Sequence, residues 1–201
     1  MAITEHDSPG TTPLDPGETA GLIPAHITTQ QQLNEWELAN ILEGERWAFG
    51  RKHKDLLSIQ FVRTLHKRMF GNTWSWAGTF RNTEKNVGVA PENIQPEFMK
   101  LCKDVKAQLE LKSHAIDEIT ARFHHRLVSI HPFANGNGRL ARTMTDLLLM
   151  QNGAERFTWG AGDLVPEGSA RQRYLDALRA ADARNYEPLF AFVRSHAKKK
   201  T

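Results

Sequence analysis

Apolar positions recur every three or four residues along most of this chain, the spacing of one buried face of an α-helix. Thr28 with Gln31, or Thr29 with Gln32, offers a capping box. From there a helix is predicted through Leu33, Trp36 and Ile41 towards Glu43-Gly44. Ile59, Val62, Leu65, His66 and Met69 predict a second helix over about 56–70, closed by Gly71-Asn72, a pair compatible with a left-handed cap. Between 72 and 96 the period is lost. Trp74, Trp76, Gly78, Asn82, Asn86, Gly88, Pro91 and Pro96 interrupt it, and Val87-Gly88-Val89 reads as a short hairpin. Helical spacing resumes over about 95–112, 115–130, 137–152, 168–181 and 186–196. The fold class that follows is all-α with one short β-hairpin insert.

Residues 1–28 carry Ser8-Pro9-Gly10-Thr11-Thr12-Pro13 and Asp15-Pro16-Gly17. Proline lacks the amide donor and glycine loses the most backbone entropy, so an extended arm is expected there rather than a regular helix. The folded domain is expected over 29–197, with a solvated basic tail at 198–201 that contains Lys198, Lys199 and Lys200.

Composition narrows the class only a little. With 201 residues, 40% hydrophobic and 24% charged, the chain is an ordinary globular domain. A net charge of +3 gives no case for nucleic acid. One cysteine, Cys102, excludes an internal disulfide framework and suits a reducing compartment. It falls in an amphipathic stretch, where a small buried apolar residue is the plain reading. No run approaches the roughly 18 apolar residues of a membrane span, and no secretory signal is visible. The protein is expected in the cytoplasm.

The chemistry concentrates in His131-Pro132-Phe133-Ala134-Asn135-Gly136-Asn137-Gly138-Arg139-Leu140-Ala141-Arg142. Pro132 disfavours helical geometry at His131, so the preceding helix ends near Ile130. An Asn/Gly turn follows, and a new helix starts at about 137–138. The first amides of a helix have no internal acceptor and favour an anion. Arg139 and Arg142 lie three residues apart on that first turn, and guanidinium forks match phosphate oxygens. Histidine as a residue type titrates near neutrality, which makes His131 the candidate general base. The segment describes a polyphosphate site with a proton acceptor beside it. His124, His125 and His131 do not make a zinc site, since no cysteine or carboxylate sits at ligand spacing. His124 and His125 are read as packing or hydrogen-bonding residues behind the loop. The five tryptophans are read as packing residues.

At this point the chain resembles the Fic family. Its signature of His-Pro-Phe, two residues, Gly-Asn-Gly-Arg, two residues and Arg is matched throughout 131–142. Leu65-His66-Lys67-Arg68-Met69-Phe70 followed by Trp76-Ala77-Gly78-Thr79-Phe80-Arg81 is similar to the family's lead into its substrate flap. Tyr174-Leu175-Asp176-Ala177-Leu178 and Tyr186-Glu187-Pro188-Leu189-Phe190 are similar to its closing helices. The likeness covers roughly 33–195 and looks closest to the small group called mobile mystery protein B.

The resemblance implies a Fic-type helical bundle that transfers a nucleotidyl group, AMP from ATP, onto a Tyr, Ser or Thr hydroxyl of a protein. His131 would be the base. Gly136, Asn137 and Gly138 would cradle the phosphates, with Arg139 on the β-phosphate and Arg142 on the γ-phosphate, while Phe133 anchors the loop. Thr83, Glu84, Lys85, Asn86, Val87 and Gly88 would form the flap hairpin, on which target backbone adds as a strand. Adenylyl-transferring members carry Asp or Glu where this chain has Asn135, so Mg²⁺ or Mn²⁺ would meet a neutral oxygen there. Kinase-like members carry Lys at the position of Gly138, which argues here for the nucleotidyl-transferring orientation. Ala39-Asn40-Ile41-Leu42-Glu43-Gly44 is similar to an inhibitory helix whose glutamate pairs with the second motif arginine, so Glu43 would block Arg142. Two other functions stay open. One is a regulatory or binding module of a mobile-element pair, with a co-encoded partner and little turnover. The other is removal of AMP, with Glu43 placing a water. The partners implied are a nucleotide and a target protein; neither membrane nor nucleic acid is expected.

Overall fold

The computed structural model describes residues 14–161 and 169–195. Its helices are α1 (Pro16–Thr19), α2 (Gln30–Phe49), α3 (Ile59–Phe70), α4 (Ile94–Leu111), α5 (Ile116–Ile130), α6 (Asn137–Gln151), α7 (Ser169–Asp182) and α8 (Glu187–Val193). Among the described residues no β-strand forms; an isolated antiparallel bridge joins Leu22 to Trp74. Residues 1–13 and the Lys198–Lys200 tail lie outside the described residues.

The α5–α6 pair is central because it feeds two apolar clusters. Phe123, Leu127, Ile130, Leu140 and Met144 pack with Val62, Leu65 and Met69 of α3 and with Phe98 of α4. Ala121 and Leu149 belong to a second cluster with Tyr174, Leu178, Leu189 and Phe192 of α7 and α8. Cys102 is buried in the first cluster, where desolvation pushes its thiol up to about 12, as befits an apolar packing residue. No described helix is long and apolar enough to cross a membrane.

Three elements differ from the sequence expectation. The arm contains a helical turn, α1, because Pro16 at its first position gives up an amide with no intrahelical acceptor. Glu18 Oε2 accepts from the Asp15 amide at 2.8 Å. The arm lies over the domain: Ile23 N donates to Thr73 O, Ser75 N to Gly21 O and Trp76 Nε1 to Glu18 O, each at 2.9 Å. Helix α2, capped by Thr29 with Gln32, runs on through Gly44 to Phe49. A Cβ on Gly44 would sit 2.7 Å from Met69 Cα, so the glycine marks where α2 and α3 touch backbone to backbone rather than an end. Gly71 closes α3 in a right-handed conformation, with φ −71°, instead of the left-handed cap.

The predicted hairpin at 83–88 is absent. Arg81 Nη1 donates to Thr83 O at 2.7 Å and Nη2 to Val89 O, so one guanidinium takes carbonyls that a ladder would use. Gly88 has φ +110°, far from strand geometry.

Two predictions follow from this packing. Gly44→Ala adds a methyl against the backbone of Met69 as well as its Cγ, and should cost roughly 1–3 kcal/mol. At an open helix position the same change stabilises, so an unchanged or raised Tm would show that the two helices can part freely. His66 and His124 are buried, and desolvation lowers both from 6.5 to about 3. The unfolded chain therefore binds protons that the folded one refuses between those values. Stability is full above pH 6.5 and falls as pH drops towards 3, by up to about 1.4 kcal/mol per pH unit for each imidazole. Urea unfolding at pH 7 and pH 5 reads this slope; equal midpoints would mean the imidazoles are protonated in place.

Candidate functional site

Helix α5 ends at His131, whose φ of 53° and ψ of 61° are left-handed, while its amide still bonds Leu127 O at 3.3 Å. That twist turns the chain into the loop 132–136, and α6 restarts at Gly136, whose φ is +78°. A Cβ on Gly136 would come 2.5 Å from Phe70 Cζ, so only glycine lets the loop settle on α3.

The loop is pinned from beneath. Asn137 is buried and clamps Phe133: its Oδ1 accepts from Phe133 N at 2.9 Å and its Nδ2 donates to Phe133 O at 2.8 Å. Phe133, 0% exposed, stacks on His66 with centroids 3.8 Å apart. Gly78 N donates to His66 Nδ1 at 3.0 Å, so the neutral ring carries its proton on Nε2 and donates it to Asn135 O at 3.1 Å. Sequence periodicity places His66 on the core face of α3 but cannot reveal this bridge to a residue 69 positions later.

These bonds reassign parts of the predicted phosphate cradle. Gly136 N donates to Asn135 Oδ1 at 2.6 Å, and the Asn137 side chain is spent on Phe133. The first helical bond runs from Leu140 N to Gly136 O, so the amides of Asn137, Gly138 and Arg139 are the ones left at the helix tip. At Gly138 a Cβ would make only ordinary contact, 3.8 Å from Arg142 Nη1 and 3.9 Å from the Tyr174 hydroxyl. Asn135 suits a divalent cation poorly, since its neutral oxygen already accepts an amide proton. Among the described residues no group of three His, Cys, Asp or Glu side chains converges to help it.

The arginines have different companions. Arg139 Nη1 lies 3.0 Å from Glu37 Oε2, and its guanidinium carbon is 5.0 Å from the centre of the Phe70 ring. Glu37 is buried, and its Oε1 accepts from Trp74 Nε1 at 2.7 Å. Arg142 is partly buried and hydrogen-bonds the Tyr174 hydroxyl, which lies 2.9 Å from His124 Nε2. Among the described residues no carboxylate forms an ion pair with Arg142. Arg171, one turn before Tyr174 on α7, faces the same place; burial lowers it, and the charge of Arg139 adds to that.

The Glu43–Arg142 pair is therefore not formed. Glu43 is exposed and accepts from Asn72 Nδ2 at 3.3 Å. Helix geometry gives the reason: α2 meets α6 through Glu37 and, two turns later, Glu45, which accepts from Thr143 Oγ1 at 3.1 Å. Glu43 stands about 120° round the helix from Glu37. The other two histidines do not converge with His131. His124 binds Tyr174, and His125 Nε2 lies 2.8 Å from Asp182 Oδ1.

His131 is 8% exposed, and its imidazole is lowered from 6.5 to about 4, first by burial and then by the charge of Arg81. It is neutral at physiological pH and can accept a proton. Beside it, Lys85 of the 83–88 segment reaches Asp15 Oδ2 at 3.0 Å and Glu18 Oε2 at 2.5 Å, so α1 fastens that segment. Thr83 Oγ1 lies 3.4 Å from Glu18 Oε1. Glu84, Asn86, Val87 and Gly88 are exposed beside these tethers.

An anion approaching the α6 tip must compete with Glu37 for Arg139. Glu37→Gln keeps an acceptor for Trp74 and removes the competing charge. ATP affinity should rise about 2–5-fold, the equivalent of roughly 0.5–1 kcal/mol for a partly exposed pair. Titration calorimetry measures it; unchanged or weaker binding would place the phosphates away from Arg139.

Residues 56–149 match the family model described as Fic/DOC family. Protein adenylyltransferase fic-1 of Caenorhabditis elegans is 31% identical over 151 residues, covering 73% of this chain and 28% of that protein. The chain thus spans less than a third of the length of this curated relative. The N-terminal Fic domain of a cell filamentation protein from Bartonella quintana superposes with a TM-score of 0.71 at 20% identity, over 90% of this chain and 94% of that one. BepC from Bartonella tribocorum, with bound AMPPNP, does so with a TM-score of 0.66 at 19% identity, over 90% and 99%. A left-handed histidine before a glycine-capped helix, the two arginines beyond it and this match together identify the stretch 56–149 as a Fic/DOC family domain.

Proposed function

We propose that this domain transfers AMP from ATP to a Tyr, Ser or Thr hydroxyl of a protein. One observation carries the reading: a buried, neutral His131 closes α5 one short loop before the tip of α6, whose first turns carry Arg139 and Arg142. It is supported by the adenylyltransferase name of the fic-1 relative and by AMPPNP in BepC.

In the proposed step His131 takes the hydroxyl proton as the hydroxyl oxygen attacks the α-phosphorus. The bond from that phosphorus to the bridging oxygen breaks, and pyrophosphate leaves. Arg139, Arg142 and the amides of residues 137–139 hold the departing charge, with Arg171 nearby. Alignment and charge stabilisation supply most of the rate. A hydroxyl approaching His131 passes residues 83–88, where the target chain docks. Asn135 would offer Mg²⁺ or Mn²⁺ only a neutral oxygen that already accepts from Gly136 N.

The finer membership, in the mobile mystery protein B group, rests on the run of motifs through 33–195, and a cytoplasmic setting rests on the lone cysteine. The engagement of Asn135 Oδ1 by Gly136 N favours a second reading, a module that binds nucleotide with little turnover, alone or with a co-encoded partner. Removal of AMP through a water placed by Glu43 loses its support, since Glu43 faces Asn72.

ATP labelled at the α or the γ phosphate separates these readings, with the chain's own hydroxyls as acceptors. Label from α should appear on protein, and His131→Ala should reduce it by about 10²–10⁴-fold with Tm preserved. Label from γ would mean kinase chemistry. Bound ATP with no transfer, in wild type and in Glu37→Gln, would leave the binding module.

A further inference from the structure

Arg81 is buried, with 6% exposure, yet no carboxylate pairs with it among the described residues. Its three guanidinium nitrogens go to three backbone carbonyls instead. Nε donates to His131 O at 2.7 Å, Nη1 to Thr83 O at 2.7 Å, and Nη2 to Val89 O. The main chain adds two bonds along the same line: Arg81 N to Pro132 O at 3.0 Å and Val89 N to Ile130 O at 3.3 Å. The segment 82–88 is thus a loop whose two feet are tied to each other and to residues 130–132. Gly88 lets the guanidinium in, since a Cβ there would lie 2.5 Å from Arg81 Nη2 and 2.8 Å from His131 Cβ.

The His131 carbonyl matters most. His131 is a non-glycine residue in left-handed geometry, a conformation that persists only where its surroundings over-determine it. The Arg81 bond to its carbonyl is one contact that does so. A lysine could satisfy one of these carbonyls but has no planar fork to span three.

We infer that Arg81 is a positioning residue which couples the target-docking loop 83–88 to His131, fixing the loop and the backbone of the base with one side chain. The inference rests on His131 being the base, as proposed above. Its charge also reaches the ring: after burial, Arg81 and, more weakly, Lys85 oppose protonation of His131. Lys85 is itself balanced by Asp15 and Glu18, while Glu84 and Glu18 act on Arg81.

Two variants of the full chain test this without relying on turnover. Arg81→Lys keeps the charge and loses the span; Arg81→Met loses both. Hydrogen exchange of the 82–89 amides should quicken in each variant. The imidazole of His131, followed by NMR and assigned against His131→Gln, should titrate close to wild type in Arg81→Lys. In Arg81→Met it should titrate higher, from about 4 towards the ordinary 6.5. Wild-type exchange in both variants, or an unshifted His131 in Arg81→Met, overturns the inference. If Arg81→Met does not fold, exchange in Arg81→Lys decides alone. Failure of α-phosphate labelling in wild type would instead count against the proposed reaction, and leaves both of these readouts intact.

Discussion

A single neutral imidazole, that of His66, fixes the floor on which the rest of the site is built. It accepts from Gly78 N, donates to Asn135 O and carries the face of Phe133. Both nitrogens are satisfied only in one tautomer, and the ring is wholly buried, so a second proton would face the full desolvation cost of a charge. The loop 132–136 is therefore held from below by hydrogen bonds and stacking. Asn137 adds the clamp on Phe133. With the loop's polar groups spent inward, the amides at the tip of α6 remain directed elsewhere. Pre-organised donors of this kind need no rearrangement when charge arrives.

A second line of contacts runs from the arm to the arginines. Leu22 pairs with Trp74, Trp74 donates to Glu37, and Glu37 holds Arg139. The close approach of α2 to α3 at Gly44 brings Glu37 within reach, since a bulkier residue would lift the helix away. From the same arm, Asp15 and Glu18 hold Lys85. The N-terminal segment thus touches the loop beside His131 directly and the anion-facing arginine at second hand. These are shared contacts; coupling between the two ends would require that each has two arrangements.

Much of the fold was legible in the sequence. Helices α4 to α8 begin and end near the expected positions, because their apolar faces repeat over many turns and Pro132 with its Asn/Gly turn divides α5 from α6. Gly44 misled as a stop, because glycine is as useful at a close helix crossing as at an end. Pro16 misled by its own rarity in helix interiors, while the first turn accepts it. The hairpin failed for a reason no local pattern contains: Arg81 takes the carbonyls of Thr83 and Val89 at its two ends. At the site, the stretch 131–142 could be read because its groups are close in sequence. Glu37 and Arg139 are 102 residues apart, and His124 and Tyr174 are 50 apart. Such partners appear only once the helices are packed, which is why Glu43 could be expected on Arg142 while the glutamate of α2 that meets a motif arginine is Glu37, on Arg139.

The depressed value of His131 is informative about order in the proposed reaction. Burial and the cations of Arg81 and Lys85 make this imidazole a weak proton acceptor in the structure described. A general base works best with its value near the working pH, so His131 in this state is poorly matched to its task. A polyphosphate at the α6 tip reverses the sign of the local field, since nearby negative charge stabilises the imidazolium. The same negative charge would compete with Glu37 for Arg139. Base strength and phosphate clamping then rise together, and only when nucleotide is present. On this electrostatic ground, a hydroxyl that docks at 83–88 before the nucleotide would meet a weaker base than one that docks after it.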